Sequence, residues 1–322
     1  MTVAPRRRNR RRRFLALGAL GLAAVIVGVA AISTNTLGAG NLFDRAVAKV
    51  DRFLAGPVPD RSAPDTVLVT EPPGADEDLD PDESASPTAT PLAGAAGPIL
   101  TPVPAPTPTA TPAPPRVPVN VDIVDDHEAV FAHELKDTWC ASAGVQMTLA
   151  VLHHGNTSHA FQRELQGRVH EWESVSDSHN GDWGPSAMAL ALDAYGAKGY
   201  VVRAYKTRQG ALRGAARAIQ ATNSPVLLMA WRGAHTWVLT GFKADADPTI
   251  FANAKISGTY ILDPWYPDNS SIWGQSDPPG AYQNNAEMIR NYLPWKRPEG
   301  KYPERDGLFI AVVPTVKVKP AS

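Results

Sequence analysis

Cys140 is the one cysteine among 322 residues, so it has no disulfide partner within the chain. A thiol attacks a carbonyl only if a base takes its proton, and an imidazole base needs an acceptor to fix its tautomer. His235, in GAHTWVLTGF, and Asp263, in YILDPWYPD, have suitable surroundings. In the order Cys140, His235, Asp263 these residues supply a nucleophile, a general base and acid, and an orienting carboxylate. Taken singly, each also has an ordinary structural role: a small buried hydrophobe, a satisfied histidine, and a turn-forming aspartate before proline.

Three elements must bring them together. In FAHELKDTWCASAGVQMTLAVL (131–152), Val145, Leu149 and Leu152 recur at helical spacing after a polar and aromatic lead-in. This predicts a helix from Cys140, capped by Asp137 or Thr138. The positive end of its dipole would favour thiolate over thiol, and its free N–H groups would hold an oxyanion. Residues 225–231 and 236–242 read as two strands of a hairpin, with His235 at its mouth. A strand over 258–263 ends at Pro264 and leaves Asp263 at its tip. Further helices are predicted at 140–154, 159–169, 185–195, 209–221 and 284–292, and further strands at 199–205 and 307–313. Helices first and strands later give an α+β domain with helices packed on an antiparallel sheet.

TWCASAGVQMTL, GAHTWVLTGF and YILDPWYPD together resemble the papain-like cysteine peptidases. More closely they resemble cysteine peptidase family thirty-nine, the double-glycine leader peptidases, and its "like" relatives. GDWGPSAMALALDAYG (181–196) looks like the helix that these domains place between nucleophile and histidine. The resemblance spans about residues 125–315. It implies a papain-like fold, a Cys140–His235–Asp263 triad, a peptide or protein substrate, cell-wall peptide among the candidates, and no cofactor. One position departs from the family, which usually has a glutamine six residues before the nucleophile to donate to the oxyanion. Here it is Glu134, beside His133. An ionised carboxylate only accepts and would repel the oxyanion. A protonated Glu134, His133, or the Cys140 N–H alone are the ways the role is filled. Trp139, Trp183, Trp237 and Trp265 are candidates to line the substrate groove.

Rival chemistries find little support. His127-Glu128, His133-Glu134 and His170-Glu171 lack a second histidine at zincin spacing, so no metal is assigned. Neither a Walker-type phosphate loop nor a G-x-S-x-G elbow occurs. A non-catalytic peptide- or glycan-binding domain remains an alternative, as does a cell-wall amidase or transpeptidase using the same triad.

The formal charge of −1 conceals three unlike pieces. Residues 1–55 carry +8, residues 56–118 carry −7 and residues 119–322 carry −2, and all eight Trp lie in the last piece. With no basic excess, the aromatic-rich piece is not expected to bind nucleic acid. Seven arginines in 1–13, read as a cytoplasmic tail, precede an uncharged run over 14–32. At 1.5 Å per residue those 19 residues span about the 30 Å of a bilayer core. The positive-inside rule then places the rest of the chain outside the cytoplasm. The run is longer than the usual signal-peptide core, which favours an uncleaved signal anchor over a cleaved signal. Residues 33–55 read as a juxtamembrane amphipathic segment. Residues 56–118, acidic and then rich in Pro, Thr and Ala, read as a disordered stalk. The catalytic domain is then 119–322.

Overall fold

The computed structural model describes residues 56–61, 65–71, 114–178, 183–297 and 300–319. It also describes 25–30 and positions 43, 46, 47, 49, 50, 53 and 54. The expected basic tail, most of the expected membrane segment and the proline-rich tract lie outside the described residues. Residues 25–30 are helical, and so are the described positions between 43 and 54, as the apolar spacing predicts. Among the described residues no helix is long and apolar enough to cross a membrane.

In chain order the elements are β1 Val67–Leu68, β2 Val119–Asp122, α1 His127–Val130, α2 Cys140–Val151, α3 His159–Gly167, α4 Pro185–Ala194, β3 Tyr200–Tyr205, α5 Arg208–Thr222, β4 Val226–Met229, β5 His235–Ala244 and β6 Ile256–Leu262. They continue with β7 Asn269–Ser270, β8 Gly274–Gln275, β9 Ala281–Asn284, α6 Asn285–Asn291 and β10 Phe309–Pro314. The strands of the main sheet run β1-β3-β10-β4-β5-β6-β9, with β2 also paired to β5. All pairings are antiparallel except β1 with β3. The domain is therefore α+β, as the element order implies.

Alternation along the strands builds a core on each face of the sheet. Leu227, Met229, Ile310 and Val312 pack against α2 and α4. Val226, Leu228, Ala311 and Val313 pack against α5 and α6. Helix α2 is central: Ala141 through Ala150 are all buried. It can lie so close to the sheet because it is built from small residues. A Cβ on Gly144 would stand 2.8 Å from the Thr236 methyl, closer than packed carbons allow. That approach sets the first turn of α2 beside the first residues of β5.

Residues 56–61 and 65–71, expected within the start of a disordered stalk, instead lie on the domain. Val67 and Leu68 pair with Arg203 and Ala204 of β3, and Val175 donates to the Pro59 carbonyl at 3.0 Å. Glu71 accepts from the buried Arg213 guanidinium at 3.1 Å. Backbone pairing and a buried ion pair hold this strap, two terms that composition does not register.

Candidate active site

Cys140 opens α2, and the N-cap is Trp139 in place of Asp137 or Thr138. No side chain caps this end among the described residues, so the first-turn N–H groups face the site unspent. The hairpin forms as predicted, with Met229 opposite Thr236. Its turn is unusual, because Trp231 (φ 51°), Arg232 (φ 61°) and Gly233 (φ 82°) are all left-handed. Gly233 has a second reason to be glycine: a Cβ would collide with the Trp295 ring at 2.3 Å. Left-handed conformation at two non-glycine residues stores on the order of 1–3 kcal/mol each. It also folds the Trp231 ring over the imidazole, stacked at 4.0 Å and 18°. Trp273 stacks parallel to Trp231 at 5.7 Å, and the Trp231 indole N–H donates to Asn291 at 3.1 Å.

His235 Nε2 lies 2.7 Å from Asp263 Oδ1, with both residues buried. The same oxygen accepts the Trp265 backbone N–H at 2.9 Å. Asp263 Oδ1 accepts from an Nε2–H of the ring, which leaves Nδ1 as the nitrogen free to take a proton. The donor atoms of Cys140, His235 and Glu134 lie within 4.8 Å of one another. The three residues predicted as a triad are thus brought together from a helix start and two strand ends.

Glu134 is the side chain that decides the site's charge. It is 2% exposed, and neither carboxylate oxygen has a partner among the described residues. Its own N–H donates to the Pro264 carbonyl at 2.9 Å. On either side, Gln162 donates to the His133 carbonyl and accepts from the Leu135 N–H. Gln162 also donates to Gln146 of α2 at 2.9 Å. An amide lattice therefore pins the Glu134 segment to both the helix and the Asp263 loop. Burial, then the neighbouring Asp263, Asp137 and Asp268, push the Glu134 carboxyl up to about 9. Near neutral pH it is a carboxylic acid, a donor rather than a repelling anion.

Burial and Glu134 also raise the Cys140 thiol, against partly offsetting hydrogen bonds from Thr236. This overturns the expectation of a resting thiolate. Desolvation next to an acidic group outweighs the helix dipole, whose favour at a terminus is about 0.3–1 kcal/mol.

The other predicted residues divide. Trp183 lines a cavity of about 510 Å³ that opens at Cys140 and His235, with Met188, Met229, Trp295 and Tyr302 forming further wall. Trp139 and Trp265 are not part of that lining. Trp265 meets Trp231 edge-on at 6.3 Å. Trp237 is buried in the core against the α5 face, away from the groove. His133 turns from the thiol: its Nδ1 lies 2.8 Å from the Tyr266 carbonyl and its Nε2 3.8 Å from Asp268. The sequence reading missed Trp231, Trp273, Thr236 and Gln162. The Trp-Arg-Gly-Ala-His turn was the available signal for Trp231; the others reach the site only through tertiary contact. Among the described residues Glu134, Cys140 and His235 form the one set of clustered metal-ligand types.

No family model matches the chain, and no curated protein matches it. Among solved structures it is similar to a double glycine motif protease from an AMS/PCAT transporter, crystallised in complex with the leader peptide. Identity is 16%, over 57% of this chain and 91% of that one, with a TM-score of 0.28.

Proposed function

We propose that the chain is a papain-like thiol hydrolase that cleaves peptide bonds, displayed on the outer face of a membrane by its N-terminal segment. The observation that carries the reading is a lone thiol at a helix start whose sulfur lies within 4.8 Å of a histidine nitrogen. That histidine's second nitrogen is held by a buried carboxylate at 2.7 Å.

At rest Cys140 is held as the thiol. As Cys140 Sγ attacks the scissile carbonyl, His235 Nδ1 takes its proton and Asp263 stabilises the imidazolium. In this reading the Cys140 backbone N–H and the Glu134 O–H are the donors to the new oxyanion, the role that glutamine fills in the family resembled. His235 then gives the proton to the leaving amine, which frees the first product and leaves a thioester on Cys140. Water, deprotonated by the same imidazole, attacks the thioester; the acid product departs and the thiol regains its proton. The aromatic and thioether walls of the cavity suit an apolar substrate side chain next to the cleaved bond.

The test is site-specific alkylation. Iodoacetamide is expected to modify Cys140 in the native chain at neutral pH, and His235→Ala is expected to abolish that modification. Equal labelling in both forms would make Cys140 an ordinary thiol and end the enzyme reading.

A further inference from the structure

The unpartnered Glu134 carboxyl has a second consequence, which concerns regulation of the same site. A thiol, an imidazole nitrogen and a carboxyl converge within 4.8 Å, and both Glu134 oxygens are buried without a partner among the described residues. We propose that Glu134, Cys140 and His235 form a three-donor site for a borderline-soft divalent cation of the Zn²⁺ type, whose occupation silences the hydrolase.

The donor set fits such an ion. Zinc takes thiolate at about 2.3 Å and imidazole or carboxylate at about 2.0–2.2 Å, so tetrahedral donors stand roughly 3.3–3.6 Å apart. The three donors already lie within 4.8 Å of one another, so convergence by about 1.5 Å at most reaches that spacing. Sulfur, nitrogen and oxygen together select this class over Ca²⁺ or Mg²⁺, which want oxygens. The outer support is in place, since His235 is already oriented through Nε2 by Asp263, the carboxylate–histidine arrangement that metal-bound imidazoles use. Charge also balances. A thiolate and a carboxylate together carry two negative charges, which a dication neutralises. A glutamine at position 134 would supply no such anion, so the departure that raises doubt about catalysis is what completes the ligand set. Bound metal would hold Sγ and Nδ1, the two atoms the reaction needs. This silencing step rests on the hydrolase reading, whereas the binding does not.

The experiment uses the full chain, stripped of metal, with Co²⁺ as a spectroscopic stand-in. One equivalent is expected to give a sulfur-to-cobalt charge-transfer band, displaced by Zn²⁺. Glu134→Gln and Cys140→Ser, each checked for native circular dichroism, should lose the tight site. Asp263→Asn should weaken binding about 10–100-fold, as loss of an outer carboxylate does. No band, or a band unchanged in Glu134→Gln, overturns the site. A second arm measures iodoacetamide labelling of Cys140: one equivalent of Zn²⁺ should block it, and a chelator should restore it. Labelling that continues on the zinc-loaded chain overturns the silencing. A cobalt band in a chain whose Cys140 never labels would keep the metal site and discard the hydrolase.

Discussion

On the proposed hydrolase reading, Glu134 bears directly on the oxyanion through its protonation. Left ionised it would oppose the developing oxyanion; burial beside three aspartates keeps it neutral. Glu134→Gln should therefore retain most peptidase turnover, because the amide also donates. Glu134→Leu should lower it about 100–1,000-fold, the usual cost of one oxyanion donor. Steady-state turnover on a fluorogenic peptide checks the pair, and equal losses in both would mean that position 134 acts through packing. Sequence shows the residue type but not its protonation, which depends on neighbours as distant in the chain as Asp263 and Asp268. The thiol teaches the same lesson with the opposite sign. A helix start next to Cys140 argued for a lowered value, and burial beside Glu134 raises it.

At the scale of elements, the site exists because α2 approaches β5 closely at Gly144. Gly144→Val would drive two methyl groups into the Thr236 side chain, where a Cβ alone already stands at 2.8 Å. Overpacking of this kind typically costs about 1–3 kcal/mol. The stability loss, read by urea denaturation, should be accompanied by a larger loss of turnover, since Cys140 is displaced from His235. Unchanged turnover in a stably folded Gly144→Val chain would show that this contact does not set the geometry. The α2, hairpin and β6 elements were all readable from periodicity and from Pro264. The left-handed Trp231–Arg232 turn was not, because those residue types rarely adopt it and tertiary contacts hold it: Trp231 stacks on His235 and bonds Asn291, and the Arg232 carbonyl accepts the Lys296 N–H.

For the whole molecule, the strap formed by 56–61 and 65–71 makes the folded unit larger than composition suggests. A chain beginning at residue 56 should keep full stability, because the strand and the Glu71–Arg213 pair remain. One beginning at 114 deprives the buried Arg213 of Glu71, and breaking such a pair costs about 3–5 kcal/mol. Its denaturation midpoint should fall, and equal midpoints would mean that the strap contributes nothing. The expected anchor, stalk and outward display rest on the arginine cluster and the apolar run, and most of the residues they concern lie outside those described. What the sequence by itself determined is local: five helices and five of the strands, to within about three residues at their ends, and that one thiol, one histidine and one aspartate sit at element ends, while β2 and β9 were not marked. Those follow from periodicity, turn residues and capping, which act over a few positions. Only the tertiary structure decided that these ends meet, that Glu134 is neutral, that Trp237 belongs to the core, and that an acidic segment becomes an edge strand. Each of those depends on burial and on partners far away in the chain, and neither is written in any short window of residues.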